Sequence, residues 1–187
     1  MPPTDRMSNL AFRLMQAAFR VQDLLFSYID RRVSGFGLEQ GMTVVDYGCG
    51  PGRYSLRFAR LVGSSGRVFA VDVHELAVEA VRRLGARHGL PNLVGVLARG
   101  YDTGLPSALA DRVCAIDMFF SVHDPGAFLA EIDRLLKPEG LLLLDDGHQS
   151  RAVTRAKLAA CGRFEVLEET RDHLTCRKRK APGAAGR

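Results

Sequence analysis

Short apolar runs alternate with helical patterns from Thr43 onward. The runs are rich in Val, Ile and Leu, which is typical of parallel strands buried on both faces. They occupy residues 43–46, 68–72, 93–97, 113–117 and 141–145. Helical spacing follows at residues 54–62, 75–88 and 125–136, and turn residues separate the units. This alternation predicts a doubly wound α/β sheet, followed by a helix over residues 150–160 and a hairpin over residues 164–168 and 173–178.

The first 35 residues have a different pattern, which predicts one long helix over residues 8–33. Six apolar or aromatic positions recur at steps of three or four, the period of one helical face: Leu10, Leu14, Ala17, Val21, Leu24 and Tyr28. A second stripe recurs every seven residues, at Phe12, Phe19 and Phe26. Two stripes indicate a helix that covers the following domain and also touches something else, for which a second copy of the chain is one candidate.

Composition places the chain among ordinary globular domains. It has 187 residues, of which 47% are hydrophobic and 25% are charged, values that predict one domain with its own core. No apolar run reaches the ~20 residues that span a bilayer. The first residues lack the order of a signal peptide, so the sequence predicts a cytoplasmic protein without a membrane span.

The net charge of +5 is confined to the end of the chain. Five bases and no acid follow Cys176, at Arg177, Lys178, Arg179, Lys180 and Arg187. The remaining 176 residues are therefore neutral. We expect residues 180–187 to form a disordered basic tail.

The four cysteines do not form a metal-binding pattern. None belongs to a C-x-x-C pair, and no histidine lies at zinc-finger spacing from them. The sequence therefore predicts free thiols and no metal site.

A glycine-rich loop follows the first predicted strand, with the sequence Asp-Tyr-Gly-Cys-Gly-Pro-Gly over residues 46–52. A dinucleotide fingerprint would require glycine at position 53, which is Arg53, and no phosphate-loop lysine is present. Asp46 would also repel a pyrophosphate. The loop therefore favours a ligand with a cationic end and a ribose.

Three segments resemble class I S-adenosylmethionine-dependent methyltransferases. They are the glycine loop with its strand at residues 44–53, the strand at residues 68–73, and the turn and strand at residues 135–144. The resemblance implies a Rossmann-like seven-stranded sheet of order 3-2-1-4-5-7-6 with strand 7 antiparallel. It implies a cofactor-binding domain over residues 36–179, an N-terminal helical cover over residues 1–35, and S-adenosyl-L-methionine as the cofactor.

The same resemblance assigns roles around the glycine loop. Asp46 is expected to accept a hydrogen bond from the amino group of the cofactor, directly or through water. Gly48, Cys49 and Gly50 are expected to lie against its methionine portion. Asp117, at the end of the fourth strand, is expected near the methionine end and the acceptor pocket.

At the nucleoside end of the cofactor, the resemblance assigns the ribose contact more clearly than the adenine contact. Asp72 is expected to bind the ribose hydroxyls, and Val73 to line the adenine. Family members often have an acid after the third strand that pairs with the adenine, and here Gly100 or Tyr101 stands at that place. Backbone groups of residues 99–101, or Asp102 after a small shift, are the alternatives.

Three residues are candidate general bases: His123, Asp145 and His148. All three follow strands four and five, on the edge of the sheet where the cofactor is expected. For Asp145 the alternative is hydrogen bonding to loop backbone, with the following residues solvated. Asp124-Pro125, next to His123, is equally typical of a helix start.

The acceptor is expected to be a small, partly apolar molecule, because the chain has no inserted substrate domain and the N-terminal phenylalanines could roof the site. Core packing is the other interpretation of those phenylalanines. Two further hypotheses stay open: an RNA methyltransferase that uses the basic tail, and a protein that binds the cofactor without catalysis. No aromatic residues interleave with the basic residues, as a base-stacking surface would require.

Overall fold

A computed structural model describes residues 7–25 and 28–179 of the chain. Six α-helices and seven strands lie in the described residues. In chain order they are α1 Asn9–Leu25, α2 Tyr28–Val33, β1 Thr43–Tyr47, α3 Arg53–Val62, β2 Arg67–Asp72, α4 Glu75–His88, β3 Leu93–Leu97, β4 Ala110–Ala115, α5 Pro125–Leu135, β5 Leu136–Leu144, α6 Arg151–Cys161, β6 Phe164–Glu169 and β7 Leu174–Lys178.

The strands form one seven-stranded sheet of order β3-β2-β1-β4-β5-β7-β6. β1 to β5 pair in parallel, and β7 runs antiparallel to both of its neighbours. The predicted fold class, strand order and antiparallel strand 7 are all confirmed. The order reverses direction at β1, which places the glycine loop at the point where ligands bind in open α/β sheets.

The sheet divides the apolar residues into two cores. Adjacent residues of a strand point to opposite faces, so Val44 joins a cluster with Phe58 and Val68, while Val45 joins one with Phe128. All five side chains are fully buried. Burial on both faces explains why the strands read as continuous apolar runs.

Two helices of the N-terminal segment are described, α1 and α2. Residues 26 and 27 between them, including Phe26, lie outside the described residues, so the single helix over residues 8–33 stays a prediction. The two apolar stripes differ in burial where their side chains are described. Leu10 and Leu14 are 69% and 64% exposed, whereas Phe12 of the second stripe is only 2% exposed. Of the remaining first-stripe residues, Ala17 is exposed, and the side chains of Val21, Leu24 and Tyr28 lie outside the described residues.

Strand β5 begins earlier than the sequence predicts. It starts at Leu136, so the predicted turn over residues 137–140 is the first part of the strand. A bulge in its pairing with β4 accommodates this irregular start. Gly140 is required there, because a Cβ at this position would lie 2.8 Å from the carbonyl oxygen of Ala110.

The described part of the basic cluster lies far from the glycine loop. Leu174 pairs with Leu144 at the carboxyl end of β5, and Arg177 pairs with Leu141 before it, so β7 leads residues 177–179 away from the carboxyl ends of the parallel strands. Arg177 bonds to Glu165, Lys178 lies 3.6 Å from Asp133, and Arg179 donates to the carbonyl of Phe164 over 3.0 Å. The predicted tail, residues 180–187, lies outside the described residues.

None of the described helices is long and apolar enough to span a bilayer. The cytoplasmic location stays a prediction.

Candidate functional site

The glycine loop connects β1 to α3 by backbone conformations that favour glycine. Gly48, Gly50 and Gly52 have φ values of 79°, 51° and 87°, in the left-handed region that only glycine adopts without strain. The N–H of Gly48 donates to the carbonyl of Val71 over 2.8 Å, which fastens the loop to the end of β2. The loop therefore lies beside the end of β2, and its backbone is accessible at the three glycines because they carry no side chain.

Asp72, the last residue of β2, faces this loop. Its Oδ2 accepts from the N–H of Gly50 over 2.9 Å, and its Oδ1 accepts from the N–H of His74 over 2.8 Å. Burial raises the pKa of Asp72, and these backbone hydrogen bonds oppose the shift. Val73 is half-buried beside it. A carboxylate fixed between two loops is suited to bind vicinal hydroxyls, as expected for a ribose.

Asp46 lies behind the loop, and its side chain is 2% exposed. Its Oδ2 accepts from the Ser55 hydroxyl over 2.5 Å. Burial raises the pKa of Asp46 to about 7, opposed by the Ser55 hydrogen bond and assisted by the charge of Asp72. The predicted contact of Asp46 with a cofactor amino group stays a prediction.

Cys49 is a buried small residue of the loop. Burial raises the pKa of its thiol well above the ordinary value, and the charges of Asp72 and Asp46 add to the shift. A thiol in this environment is a poor nucleophile at neutral pH. The structure therefore supports a packing role for Cys49.

The turn after β3 is where the adenine is expected. The N–H of Arg99 donates to the carbonyl of Asp102 over 2.8 Å, and the N–H of Asp102 donates back to Arg99 over 3.2 Å. The Asp102 carboxylate accepts from the N–H of Gly104 over 2.8 Å. Of the proposed substitutes for the missing acid, Arg99 and Asp102 are therefore engaged within the turn. Gly100 lies at its exposed tip with φ 64°, where a Cβ would meet no atom within 4 Å.

Tyr101 holds the neighbouring loop. Its hydroxyl accepts from the N–H of Asp124 over 3.0 Å, and its carbonyl accepts from the Tyr47 hydroxyl over 2.7 Å. These bonds tie the β3 turn to the start of α5. The assignment of Gly100 and Tyr101 to adenine binding stays a prediction.

A charged cluster joins the carboxyl ends of β4 and β5 to α2. Arg32 donates from Nη2 to Asp145 Oδ2 over 2.5 Å and lies 3.3 Å from Asp117 Oδ1. Its Nη1 also donates to the Tyr54 hydroxyl over 2.8 Å. Burial alone would lower the pKa of Arg32, but Tyr54, Asp145 and Asp117 raise it, so the guanidinium is charged. One buried cation thus links two strand ends and the glycine-loop helix.

Asp117 and Asp145 differ in exposure. The Asp117 side chain is 51% exposed and its φ is 58°, an unusual conformation for a non-glycine residue. Asp145 is buried and accepts the N–H of Asp117 over 2.8 Å. Burial and the charge of Asp117 raise the pKa of Asp145 to about 7, while Arg32 opposes the shift. These contacts support the interpretation that Asp145 holds loop backbone, and they place Asp117 at the open edge beside it.

His123 and His148, the two candidate histidine bases, are both exposed. The ring of His148 packs edge-on to Phe120 at 4.7 Å. Asp124, next to His123, accepts the N–H of Ala127 over 2.9 Å, which confirms the predicted helix start. No group of three potential metal ligands occurs in the part of the chain that the structure describes. A catalytic role for either histidine stays a prediction.

Helix α1 lies over the glycine loop and the end of β2. The Phe12 ring stacks on His74 at 4.6 Å, and the Phe19 ring lies 4.2 Å from the Arg53 guanidinium. The Met15 methyl is 4.0 Å from where a side chain at Gly50 would begin. The inner face of α1 therefore covers the candidate cofactor site.

Sequence reasoning missed Arg32, Tyr54, Ser55 and Met118. Met118 packs over the glycine loop, since a Cβ at Gly48 would lie 2.8 Å from its Cγ. For Arg32 the sequence offered one signal, the Asp-Arg-Arg run at residues 30–32 near the end of the predicted N-terminal helix. Its partners lie too far along the chain for spacing to reveal them.

A comparison with family profiles decides the family. The profile described as "Methyltransferase domain" matches residues 45–144, which contain the glycine loop, Asp72 and the strands up to β5. The chain belongs to the class I S-adenosylmethionine-dependent methyltransferases.

Curated relatives of this methyltransferase-family chain differ in their named acceptors. A ubiquinone/menaquinone biosynthesis C-methyltransferase from a Marinomonas species is 31% identical over 113 residues, 60% of this chain and 45% of the relative. A dimethylglycine N-methyltransferase from Parasynechococcus marenigrum is 34% identical over 110 residues, 58% of this chain and 39% of the relative. The chain thus spans less than half the length of each.

A solved structure matches nearly the whole of this methyltransferase fold. The S-adenosylmethionine-dependent methyltransferase from Aquifex aeolicus aligns over 91% of this chain and 97% of its own, with a TM-score of 0.78 and 24% identity. At that identity the match shows the fold. At 91% of the chain, the match extends beyond residues 45–144.

S-adenosyl-L-methionine is the cofactor of this family, and the loop residues fit it. The side-chain-free positions at Gly48 and Gly50 leave room for close approach, and Asp72 supplies a fixed carboxylate for hydroxyls. The acidic groups beside the loop suit a cation rather than a phosphate.

Proposed function

We propose that this protein is an S-adenosylmethionine-dependent methyltransferase that acts on a small, partly apolar molecule. The observation that carries the proposal is the pairing of the glycine loop with Asp72, whose carboxylate bonds to the N–H of Gly50 and faces the loop. When bound, the cofactor supplies an activated methyl group on a sulfonium. The carboxylates of Asp72 and Asp117 provide an environment that favours this cationic ligand.

Positioning is the main contribution of the chain to such a transfer. Asp72 would orient the ribose, and Asp117, half-exposed at the end of β4, would lie at the methionine end. Asp145 would hold Asp117 in its strained conformation by accepting its N–H, and Arg32 by its ion pair with the Asp117 carboxylate. Where the methyl-accepting atom carries a proton, that proton must be removed during the transfer. The exposed His123 and His148 are the proposed bases that receive it.

The apolar character of the acceptor is inferred from the roof of the site. Phe12, Met15 and Phe19 form the inner face of α1 over the loop. The quinone in the name of one relative is consistent with this environment. The RNA alternative stays a hypothesis, because residues 180–187 of the basic tail lie outside the described residues.

Calorimetry of cofactor binding tests the proposal. Wild type is expected to bind S-adenosylmethionine, and Asp72→Ala is expected to weaken binding at least about tenfold, since it removes a charged hydrogen-bonding partner. Asp30→Ala is the matched control, because its side chain is 60% exposed on α2 and pairs with Arg57. Absence of binding by wild type, or undiminished binding by Asp72→Ala, would overturn the proposal.

Turnover separates catalysis from binding alone. We expect purified protein with S-adenosylmethionine to methylate at least one member of a panel of phenols, quinols and small amines, detected by mass spectrometry. A protein that binds the cofactor tightly but methylates none of them would be assigned a non-catalytic role.

A further inference from the structure

The outer face of α1 exposes large apolar side chains. Leu10 and Leu14 are 69% and 64% exposed, the highest values among the large apolar residues whose side chains the structure describes. Met7, just before the helix, is 43% exposed. Phe12, between the two leucines in sequence, is buried against His74. The helix is therefore apolar on both faces, and only one face is covered by the domain.

Helical geometry makes the exposed residues one stripe. At 3.6 residues per turn, Leu10 and Leu14 share a face, and Phe12 points to the opposite side. Ala17 and Ala18, also exposed, continue the stripe along the helix. From Met7 to Ala18 it extends about 16 Å, at a rise of about 1.5 Å per residue.

The charges of α1 favour an anionic partner. Arg13 is exposed beside the stripe, and Arg20 follows one heptad later in the sequence. No acid occurs from Met7 to Gln22, and the first is Asp23. An apolar stripe bordered by arginines, with no acid in it, has the composition of helices that lie in a membrane interface.

A second copy of the chain fits this face less well. Two α1 helices paired antiparallel along the stripe would bring their arginines together without an acid to compensate them. A stable protein interface also requires about 800 Å² on each partner, and the described part of the stripe offers three large side chains, those of Met7, Leu10 and Leu14. Reversible binding to a membrane requires no such interface area, because a few inserted side chains and contacts with headgroups suffice.

We propose that the outer face of α1 binds an anionic lipid surface, with Met7, Leu10 and Leu14 in the acyl boundary and Arg13 at the headgroups. The inner face of the same helix covers the glycine loop. Docking therefore holds the candidate site beside the bilayer. Membrane attachment goes beyond the proposed function and does not depend on it.

Co-sedimentation of the full chain with lipid vesicles tests the attachment. Wild type is expected to bind vesicles of equal parts phosphatidylcholine and phosphatidylglycerol, and to bind pure phosphatidylcholine several-fold more weakly. The double variant L10S/L14S is expected to lose binding by about tenfold or more. Arg13→Glu is expected to reduce binding to the anionic vesicles alone, in a manner that high salt reproduces.

Matched controls sit on α3, outside the stripe. Leu61→Ser changes an exposed helical leucine, 42% exposed, and Arg60→Glu reverses an exposed charge beside it. Both are expected to bind vesicles as wild type does. Circular dichroism of every variant checks that the fold is retained.

Three results would overturn the attachment: no binding of wild type to anionic vesicles, equal binding by wild type and L10S/L14S, or a dimer in sedimentation velocity that L10S/L14S dissociates. The last result would assign the stripe to a second copy. Calorimetry of S-adenosylmethionine on the same variants keeps the two proposals separable, because cofactor affinity is expected to be unchanged by them. Failure of wild type to bind the cofactor would overturn the proposed function and leave the vesicle result standing.

Discussion

Arg32 and Asp145 are 113 positions apart in the sequence, yet the Arg32 guanidinium donates to the Asp145 carboxylate over 2.5 Å. Their side chains are only 6% and 3% exposed. The pair fastens the N-terminal segment to the carboxyl edge of the sheet, where β4 and β5 end. The cover over the site is thus attached by charge at α2 and by aromatic packing at α1.

Removal of one partner of this pair is expected to be strongly destabilising. Arg32→Met leaves Asp145 buried without its cation, and the free energy of unfolding in urea should fall by about 3–5 kcal/mol. The exposed pair Arg57–Asp30 is the comparison, because Asp30 is 60% exposed and Arg57→Met should cost less than about 1 kcal/mol.

A double-mutant cycle with R32M and D145N distinguishes the pair from other losses at Arg32. The double variant should be more stable than the sum of the single effects predicts, because no buried charge is left unpaired. Additive effects in this cycle would show that the two residues do not interact energetically.

Asp46 should make stability depend on pH. Its pKa is raised to about 7, chiefly by burial, so the native state holds a proton that the unfolded state releases near pH 4. The stability that this proton contributes is complete below the unfolded pKa and is lost as the pH rises through about 7. Asp46→Asn, which stays neutral, should therefore gain a few kcal/mol relative to wild type between about pH 4 and pH 8.

Urea titrations of both proteins across that range measure this difference. Asp30→Asn, at an exposed carboxyl, controls for the loss of any acid. A stability difference between wild type and Asp46→Asn that is constant with pH would contradict a raised pKa at Asp46.

A side chain at position 48 should be tolerated only if Met118 moves. Alanine there adopts an unfavourable φ of 79° and meets the Met118 Cγ at 2.8 Å, so both stability and cofactor affinity should fall. Gly89→Ala is the matched control, since its φ is 62° but nothing lies within 4 Å of the new Cβ. It should lose about 1 kcal/mol of stability and leave cofactor affinity unchanged.

The double variant G48A/M118A separates contact from strain. Truncation of Met118 removes the clashing atoms, so part of the loss at Gly48 should be recovered in a thermal unfolding assay. If G48A and G89A lose the same stability, Met118 does not limit the loop.

Truncation of Phe12 should destabilise α1 far more than truncation of Leu10. Phe12→Ala removes the ring that stacks on His74, and the free energy of opening α1 should fall by roughly 3 kcal/mol. Leu10→Ala alters an exposed side chain and should change it by less than about 0.5 kcal/mol. Hydrogen exchange of the α1 amides measures both, and equal exchange rates in the two variants would show that the inner face does not hold the helix.

The strands of the sheet could be predicted because each is encoded by the pattern of a short stretch of sequence. Apolar strands near residues 44, 68, 93, 113 and 141 each differ sharply from the helices between them, and the resemblance supplied the strand order. Asp72 could be placed at the loop because parallel strands end at a common edge. The helix start at Asp124 was equally predictable, from the proline that follows it.

The orientation of α1 and the role of Arg32 were not predictable for the opposite reason. Leu10 and Phe12 belong to two stripes of similar apolar character, and the partner that selects Phe12, His74, lies 62 positions away. Arg32 likewise meets Asp117 and Asp145 only after β4 and β5 have formed. Contacts between distant segments decide these features, and one sequence carries no spacing that reports them.

The position of α1 over the loop has a consequence for folding. This helix leaves the ribosome before the residues that it contacts, His74, Gly50 and Arg53, have been synthesised. It can dock only after the β1–β2 unit exists, so its docking is a late, long-range step that follows sheet formation. During synthesis both apolar faces of α1 are exposed at once, which makes this helix prone to aggregation until it docks.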